Sequence, residues 1–380
     1  MASPAIPARS AVERAAPDAP ARVQPFLPAD IAEVVDLHRR VFSGNPFPPD
    51  ELRTYFRQLF FENPSYDREI PSLVYREDGG RIRGFLGVVP RQMRMAGQPV
   101  RVALSSQFMV DPQARNRLAA VELLTSFLAG PQDLSLTDGA TDRVRKIWQG
   151  LGGVTAFPYS IHWERILRPA RYVLQRCKER GLPRPLQLTL RPGCGLADFL
   201  AARISPSPFY QAEQPPEEGL TCSILLEHLP KLSALCALRP DYDEPTLSWL
   251  LQEAAAKKCH GRLRMAVVRD DQGQVAGWYL YYLSRNGVSQ VLQVTASRSS
   301  MRNVLKHLFY HAWRLGACAI AGRVDPRFIA DFSAEHCGFR LDGPWMLLHS
   351  RRAELREVIQ RGDAFLTRLD GEWFMRFQGG

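Results

Sequence analysis

The sequence predicts an α/β (α+β) chain built from two tandem copies of one order of elements. Two observations carry this. The stretch from Arg22 to Leu167 alternates extended and helical patterns in the order β-α-α-β-β-β-α-β-α-β. A second stretch, after a proline-rich interval, repeats much of that order: Asp271-Gln-Gly273-Gln-Val-Ala-Gly277-Trp echoes Asp78-Gly-Gly80-Arg-Ile-Arg-Gly84-Phe, each a turn leading into an apolar strand. The expected divisions are a disordered leader (1–21), an N-terminal domain (22–167), a Pro-rich connector (168–219), a C-terminal domain (220–350) and a tail (351–380).

Arg22–Leu27 reads as a first strand. Pro28–Asp30 opens a helix with Ile31, Val34, Val35, Leu37 and Val41 on its apolar face. Pro49 starts a second helix, where Leu52, Tyr55, Phe56, Leu59 and Phe60 fall at helical spacing. Strands follow at Ser72–Tyr75 and Ile82–Val89. Val100–Val110 then runs as an extended segment to Asp111–Pro112, and Val121, Leu124, Phe127 and Leu128 mark a helix stopped by Gly130–Pro131. A strand that feeds a helix through a short basic turn gathers free backbone N–H groups and the positive end of the helix dipole, a seat for phosphate. A strand at Asp133–Thr137, a helix from Thr141 to about Leu151 and an extended segment at Ala156–Leu167 complete the copy. In the second copy Val288–Thr295 is a strand, Ser299 caps a helix bearing Met301, Val304, Leu305, Leu308, Ala312 and Leu315, and a strand at Ala317–Arg323 and a helix near Arg327–His336 follow. In the tail, Ala353–Gln360 is a helix and Phe365–Phe377 alternates as a strand or a docked segment.

Composition narrows the class. Among 380 residues, 45% are hydrophobic and 23% charged, which is ordinary for a globular chain, and the net charge of +10 favours anionic partners without choosing among them. All seven cysteines lie from Cys177 onward without a CxxC pair, as reduced thiols in a cytoplasmic protein do. No stretch reaches the roughly 20 apolar residues of a membrane span. His307 and His311 are four apart but lack the glutamate of a zinc-protease helix, and Asp241-Tyr-Asp243 lacks a calcium-loop glycine, so no metal site is expected.

The stretch Val110-Asp-Pro-Gln-Ala-Arg115-Asn-Arg-Leu-Ala-Ala120-Val-Glu-Leu-Leu124 resembles the acyl-CoA motif of the GNAT N-acetyltransferases, in which a strand ends in V-x-P and an R/Q-x-x-G-x-G/A loop cradles the CoA pyrophosphate. Ile147-Trp-Gln-Gly-Leu-Gly152-Gly153 sits where that family has an F-Y-E-K-L-G-F type sequence, and Glu335-His-Cys-Gly338-Phe339 repeats it. The resemblance implies two GNAT-like domains, each a mixed, mostly antiparallel twisted sheet flanked by helices. It implies acetyl-CoA or another acyl-CoA as co-substrate, held by Gln107, Phe108, Met109 and Val110 along the strand and by Gln113, Arg115, Asn116, Arg117, Leu118, Ala119 and Ala120 in the loop and first helical turn. Arg115 reads equally as a solvated turn arginine. Asn116 and Leu118 depart from the family's small residues, Trp148 stands at the position of its acid tyrosine, and the matching position in the second copy is Ala334.

Direct transfer needs a proton acceptor and a polarised carbonyl. Asp138, at the end of the strand after the helix that bears Val121, Leu124, Phe127 and Leu128, can serve as the acceptor, or as a turn or capping aspartate before Thr141. His162 and Glu164 alternate on the closing strand. The resemblance thus implies an N-acyltransferase acting on a small-molecule, sugar or protein amine. Its rivals are a non-catalytic tandem GNAT-like binding module and a Fem-like transferase using aminoacyl-tRNA.

Overall fold

The computed structural model describes residues 22–42, 48–114, 118–205 and 207–375, so the expected leader and three residues of the expected phosphate loop, Arg115, Asn116 and Arg117, lie outside the described residues. The first copy comprises β1 (Val23–Pro25), α1 (Ile31–Val41), α2 (Pro49–Phe60), β2 (Leu73–Arg76), β3 (Ile82–Met95), β4 (Gln98–Val110), α3 (Ala119–Leu128), β5 (Leu134–Ala140), α4 (Asp142–Gly150), β6 (Val154–Thr155), α5 (Phe157–Ser160) and β7 (His162–Ile166). The interval that follows holds α6 (Pro169–Glu179), α7 (Arg184–Ala201) and β8 (Glu218–Gly219). The second copy has α8 (Cys222–Leu232), β9 (Leu238–Pro240), α9 (Glu244–Ala256), β10 (Arg262–Arg269), β11 (Val275–Leu283), β12 (Val288–Ala296), α10 (Met301–Arg314), β13 (Ala319–Arg323), α11 (Ile329–Ala334), β14 (Gly338–Arg340), β15 (Trp345–His349) and α12 (Ala353–Gln360).

Two mixed, largely antiparallel sheets result, ordered β1-β2-β3-β4-β5-β15-β6, with β9 on the far end of β3, and β14-β7-β13-β12-β11-β10-β8. They are two tandem GNAT-like units that exchange strands. The expected closing segment of the first copy splits: Phe157–Ser160 turns as a helix, and His162–Ile166 crosses to pair with β13 and β14 of the second sheet. In return β15 enters the first sheet between β5 and β6. The division of the chain at 167 and 220 therefore follows the sequence and not the sheets. A strand pattern states which face is apolar but not which neighbour will pair with its edges.

The proline-rich connector, where short helices at Tyr172–Arg180 and Leu196–Ile204 are the most its pattern allows, opens with a longer helical hairpin and continues, in its described residues, without regular structure from α7 to β8. Its prolines occupy permitted places, Pro169 and Pro185 in the first turns of α6 and α7, and only Pro192 falls inside a helix. The tail docks rather than forming a strand: apart from one parallel bridge between Ala364 and Leu238 of β9, with the Phe365 N–H donating to the Leu238 carbonyl at 2.8 Å, its Phe365, Leu369, Phe374 and Met375 are buried without joining a sheet.

On one face of the first sheet, α1 and α2 pack an aromatic cluster in which Phe56, Phe60 and Phe26 lie 5.0–5.5 Å from, and edge-on to, Phe85. Burying each such ring contributes about 1.5–3 kcal/mol. The opposite face carries α3 and α4, with Leu123, Leu124, Phe127 and Trp148 in a separate core.

Candidate active site

β4 pairs with β5 in parallel only from Val102↔Leu134 to Leu104↔Leu136. Beyond Leu104 the strands separate into a V, and the β4 edge from Ser105 to Val110 loses its β5 partner. A strand paired on one side alone turns half of its N–H and C=O groups toward the gap. A bulge sharpens the opening: Gln107 and Phe108 together oppose Leu86, and Gln107 adopts a φ of +53°, a left-handed conformation uncommon for a residue with a Cβ. Gly87 makes room for it, because a Cβ there would lie 2.4 Å from the Phe60 ring and 2.7 Å from the Ser106 carbonyl oxygen.

The expected cofactor residues are distributed around this opening. Phe108 and Val110 are half-buried against the α3–α4 core, whereas Met109 points into the core on the other face. Asp111 fixes the turn: its carboxylate accepts from the Gln113 N–H at 2.9 Å, from Arg83 at 2.8 Å and from Arg40 at 3.1 Å. Burial alone would raise this carboxyl, but these three donors together hold it below the ordinary carboxylate range. Gln113 is exposed with its N–H engaged by Asp111, Leu118 is exposed, Ala119 is buried and Ala120 half-buried at the start of α3.

Tyr55 is the side chain that sequence reasoning missed. Its hydroxyl accepts from Gln107 Nε2 at 3.1 Å and donates to the Met375 carbonyl of the tail. Lys257, at the end of α9, places Nζ 4.7 Å from the centre of the Tyr55 ring, and burial lowers its ammonium's pKa. Tyr55 looked like one more apolar position on α2. The available signal was a phenol on an otherwise phenylalanine- and leucine-lined face.

Trp148, at the expected tyrosine position, is core: it is 1% exposed and packs 6.0 Å from Phe127. Asp138 is fully buried. Its Oδ2 lies 3.1 Å from Arg323 Nη1, its Oδ1 accepts from the Glu372 N–H at 2.7 Å, and its carbonyl accepts from Arg323 Nη2 at 2.9 Å. Thr137 alongside donates to Glu372 at 2.7 Å. His162 is buried between two partners: Nδ1 accepts from Arg368 at 3.2 Å, which leaves Nε2 to donate to the Pro344 carbonyl at 3.3 Å. Burial first, then Arg368 and Arg323, push its pKa down to about 4, so the ring is neutral near neutral pH. Glu164 accepts from the Tyr172 hydroxyl, away from Asp138's partners.

The second unit has its own V, with β12 and β13 paired only from Val288↔Ala319 to Gln290↔Ala321 and a bulge at Leu292. The tail fills it. The Arg368 N–H donates to the Leu292 carbonyl at 3.0 Å, Arg368 Nη1 donates to Gln290 at 2.9 Å, and Gln293 donates to Thr367 at 3.2 Å. Two ion pairs, Arg302–Asp331 at 3.1 Å and Lys306–Glu335 at 3.9 Å, tie α10 to α11 beside it.

At the root of the first V, on the sheet face away from α3, lies a small cleft of about 60 Å³ walled by Met93, Val102, Leu104, Leu136 and Leu366, with Arg91 and Asp370 among its polar residues. Among the described residues no group of three or more His, Cys, Asp or Glu side chains could hold a metal ion, and no helix is long and apolar enough to cross a membrane.

The splayed pair of strands, the bulge at its mouth and the turn leading to a helix stand where the acyl-CoA motif that the sequence resembles lies. Residues 22–133 match the family model described as an acetyltransferase (GNAT) domain, which identifies the first unit as one. Among solved structures, the chain is similar to a conserved Enterococcus faecalis protein described as a probable N-acyltransferase (12% identity, TM-score 0.56, covering 87% of this chain and 72% of that one). It is similar to a GCN5-related N-acetyltransferase from Anabaena variabilis (13%, 0.57, 87% and 73%). It is also similar to the Saccharomyces cerevisiae N-myristoyltransferase solved with myristoyl-CoA and inhibitors (11%, 0.50, 89% and 82%). At these identities the likeness is one of fold. A search of curated proteins found no match.

Proposed function

We propose that this chain is an N-acyltransferase that moves an acyl group from acyl-CoA to an amine at the V of the first unit. One observation carries the reading: of two similar V-shaped openings, the second has its bulge hydrogen-bonded by the tail, whereas in the first the tail meets β5 and the Tyr55 hydroxyl beside the bulge.

In this reading acyl-CoA lies along the free edge of β4. The edge N–H groups between Gln107 and Val110 bind the pantetheine and polarise the thioester carbonyl. Gln113, Arg115, Asn116, Arg117 and the first turn of α3 at Leu118–Ala120 receive the pyrophosphate, where the helix dipole and an arginine both favour negative charge. The amine attacks the carbonyl carbon, the C–S bond breaks, and the departing thiolate takes the Tyr55 hydroxyl proton while the new amide nitrogen loses its extra proton to solvent. Tyr55 thus supplies the phenol that Trp148 cannot. Asp138, already engaged by Arg323 and the Glu372 N–H, holds the tail across the opening in this reading and does not take the proton. In this reading the acyl group faces the small cleft at the root of the V, walled by Val102, Leu104 and Leu136. The Fem-like use of aminoacyl-tRNA has no specific observation in its favour.

The test is isothermal titration of acetyl-CoA and of a longer acyl-CoA into the wild type and Arg115→Ala. Loss of one charge-assisted contact to phosphate removes about 1.5–3 kcal/mol, so the variant is expected to bind roughly 10-fold to 100-fold more weakly. Absence of binding in the wild type overturns the reading, and equal binding in both moves the pyrophosphate off this loop.

A further inference from the structure

The α6–α7 hairpin is not used by the site described above, and its surface is unlike the rest of the molecule. From Arg184 to Gly193, every residue of α7 whose side chain is described is exposed, including Leu186, Leu188 and Leu190 at 44–64%. Further along, Leu196, Phe199, Leu200 and Ile204 are exposed as well. Large apolar side chains left bare in this number on one short element mark an interaction surface.

Charge selects the partner. Between Arg168 and Ser205 the chain carries eight arginines and lysines against two acids, Glu179 and Asp198, which is more than half of the net charge of +10. One of the acids is internal: Asp198 is fully buried and accepts from the Ala170 and Arg171 N–H groups at 2.8 and 3.2 Å, tying α7 to the first turn of α6 and fixing the base of the hairpin. The other, Glu179, pairs with Arg176. Lys178, Arg180 and Arg184 are exposed around the turn between the helices. Two copies of so basic a surface repel each other, and an anionic partner does not.

Side-chain placement distinguishes a groove from a fluid. At 100° per residue, Leu186 and Leu190 lie on one side of α7 and Leu188 on nearly the opposite side. A protein groove covers one side of a helix. A bilayer interface entered by the end of a hairpin surrounds it, taking the leucines among the acyl chains while the long basic side chains reach back to the headgroups.

We propose that the α6–α7 hairpin is a peripheral membrane-docking element whose end inserts into an anionic phospholipid surface. It spans nothing, consistent with the absence of a membrane-crossing helix among the described residues. It is independent of the acyltransferase reading.

The test is co-sedimentation of the full chain with vesicles of phosphatidylcholine alone and of phosphatidylcholine with phosphatidylglycerol at 7:3. Two combined variants accompany the wild type: Leu186→Ser with Leu188→Ser and Leu190→Ser, and Lys178→Gln with Arg180→Gln and Arg184→Gln. All six side chains are exposed, so both variants are expected to melt with the wild type, and if one does not, the other stands alone as the test. The wild type is expected to bind the anionic vesicles and not the neutral ones. At about fivefold per basic residue, the glutamine variant loses on the order of a hundredfold in affinity. Failure to bind anionic vesicles, equal binding to both vesicle types, or a lipid-free dimer in light scattering that the serine variant abolishes would each overturn the proposal, the last by giving the surface to a second copy of the chain.

Discussion

Arg323 crosses from the second sheet to place Nη1 3.1 Å from Oδ2 of Asp138 in the first, with both side chains sealed from solvent. The two residues stand 185 positions apart in sequence and sit on β13 and β5, the strands that border the two V-shaped openings. The tail runs between them: Thr367 and Arg368 occupy the second V, and Gly371 and Glu372 lie against Asp138 in the first. One ion pair therefore links two units and the segment threaded through both.

Breaking this pair from one side leaves a buried charge without its counterion, so Arg323→Met or Asp138→Leu is expected to cost about 3–5 kcal/mol. The double variant Asp138→Leu with Arg323→Met is expected to cost much less than the sum of the two. Urea unfolding followed by fluorescence measures this, and additive losses would show that the two side chains act separately.

Tyr55→Phe removes a hydroxyl and keeps the ring that packs in the α2 core. If the phenol protonates the leaving thiolate, kcat falls about 10-fold to 100-fold while KM for acyl-CoA stays within about twofold. A thiol-release assay over a series of thioester donors reads both constants. The loss should shrink for donors whose thiols are more acidic, since those leave without help. A uniform loss across donors assigns Tyr55 to positioning Gln107 instead.

Gly371 sits where a Cβ would fall 2.0 Å from Asp138 Oδ2. Gly371→Ala must push the tail off β5 or shift the Asp138–Arg323 pair, at about 1–3 kcal/mol. The tail is the cheaper element to move. Limited proteolysis is expected to cut the variant between Leu366 and Met375 under conditions in which the wild type is spared, and equal protection in both would mean that the tail is anchored elsewhere.

These predictions rest on residues that the sequence exposed unevenly. The alternation of Val100, Val102 and Leu104 and the helical spacing of Val121, Leu124 and Phe127 are local signals, and β4 and α3 appear where those signals put them. The two turns Asp78-Gly-Gly80 and Asp271-Gln-Gly273 revealed the repeated unit for the same reason. The strand exchange was hidden because the register of β7 with β13 is decided by tertiary contact. The bulge was hidden because its left-handed residue is Gln107 and not a glycine. Asp138 read as a turn or capping aspartate or a proton acceptor because its partner Arg323 carries no local trace in the sequence. The aromatic alternation of the tail looked like a strand, yet those side chains are spaced to dock into two openings, with Trp373 under Arg368 and Phe374 in the core.

His162 gives the junction a pH dependence that can be measured. Burial, reinforced by Arg368 and Arg323, holds its pKa at about 4 in the folded protein against an ordinary 6.5, so the unfolded chain binds more protons than the folded one between those values. Stability from this residue is fully present above pH 6.5, falls by roughly 1 kcal/mol per pH unit as the pH drops toward 4, and changes no further below that. His38 and His307 are likewise pushed down to about 4, chiefly by burial, and add the same sign of slope. In His162→Gln the amide can still accept from Arg368 and donate to the Pro344 carbonyl but binds no proton. The variant is therefore expected to lose one histidine's share of the slope between pH 6.5 and 4, read from urea midpoints at half-unit intervals. An unchanged slope would show that His162 titrates alike in the folded and unfolded chain, and the contact with Arg368 would then be too weak to matter.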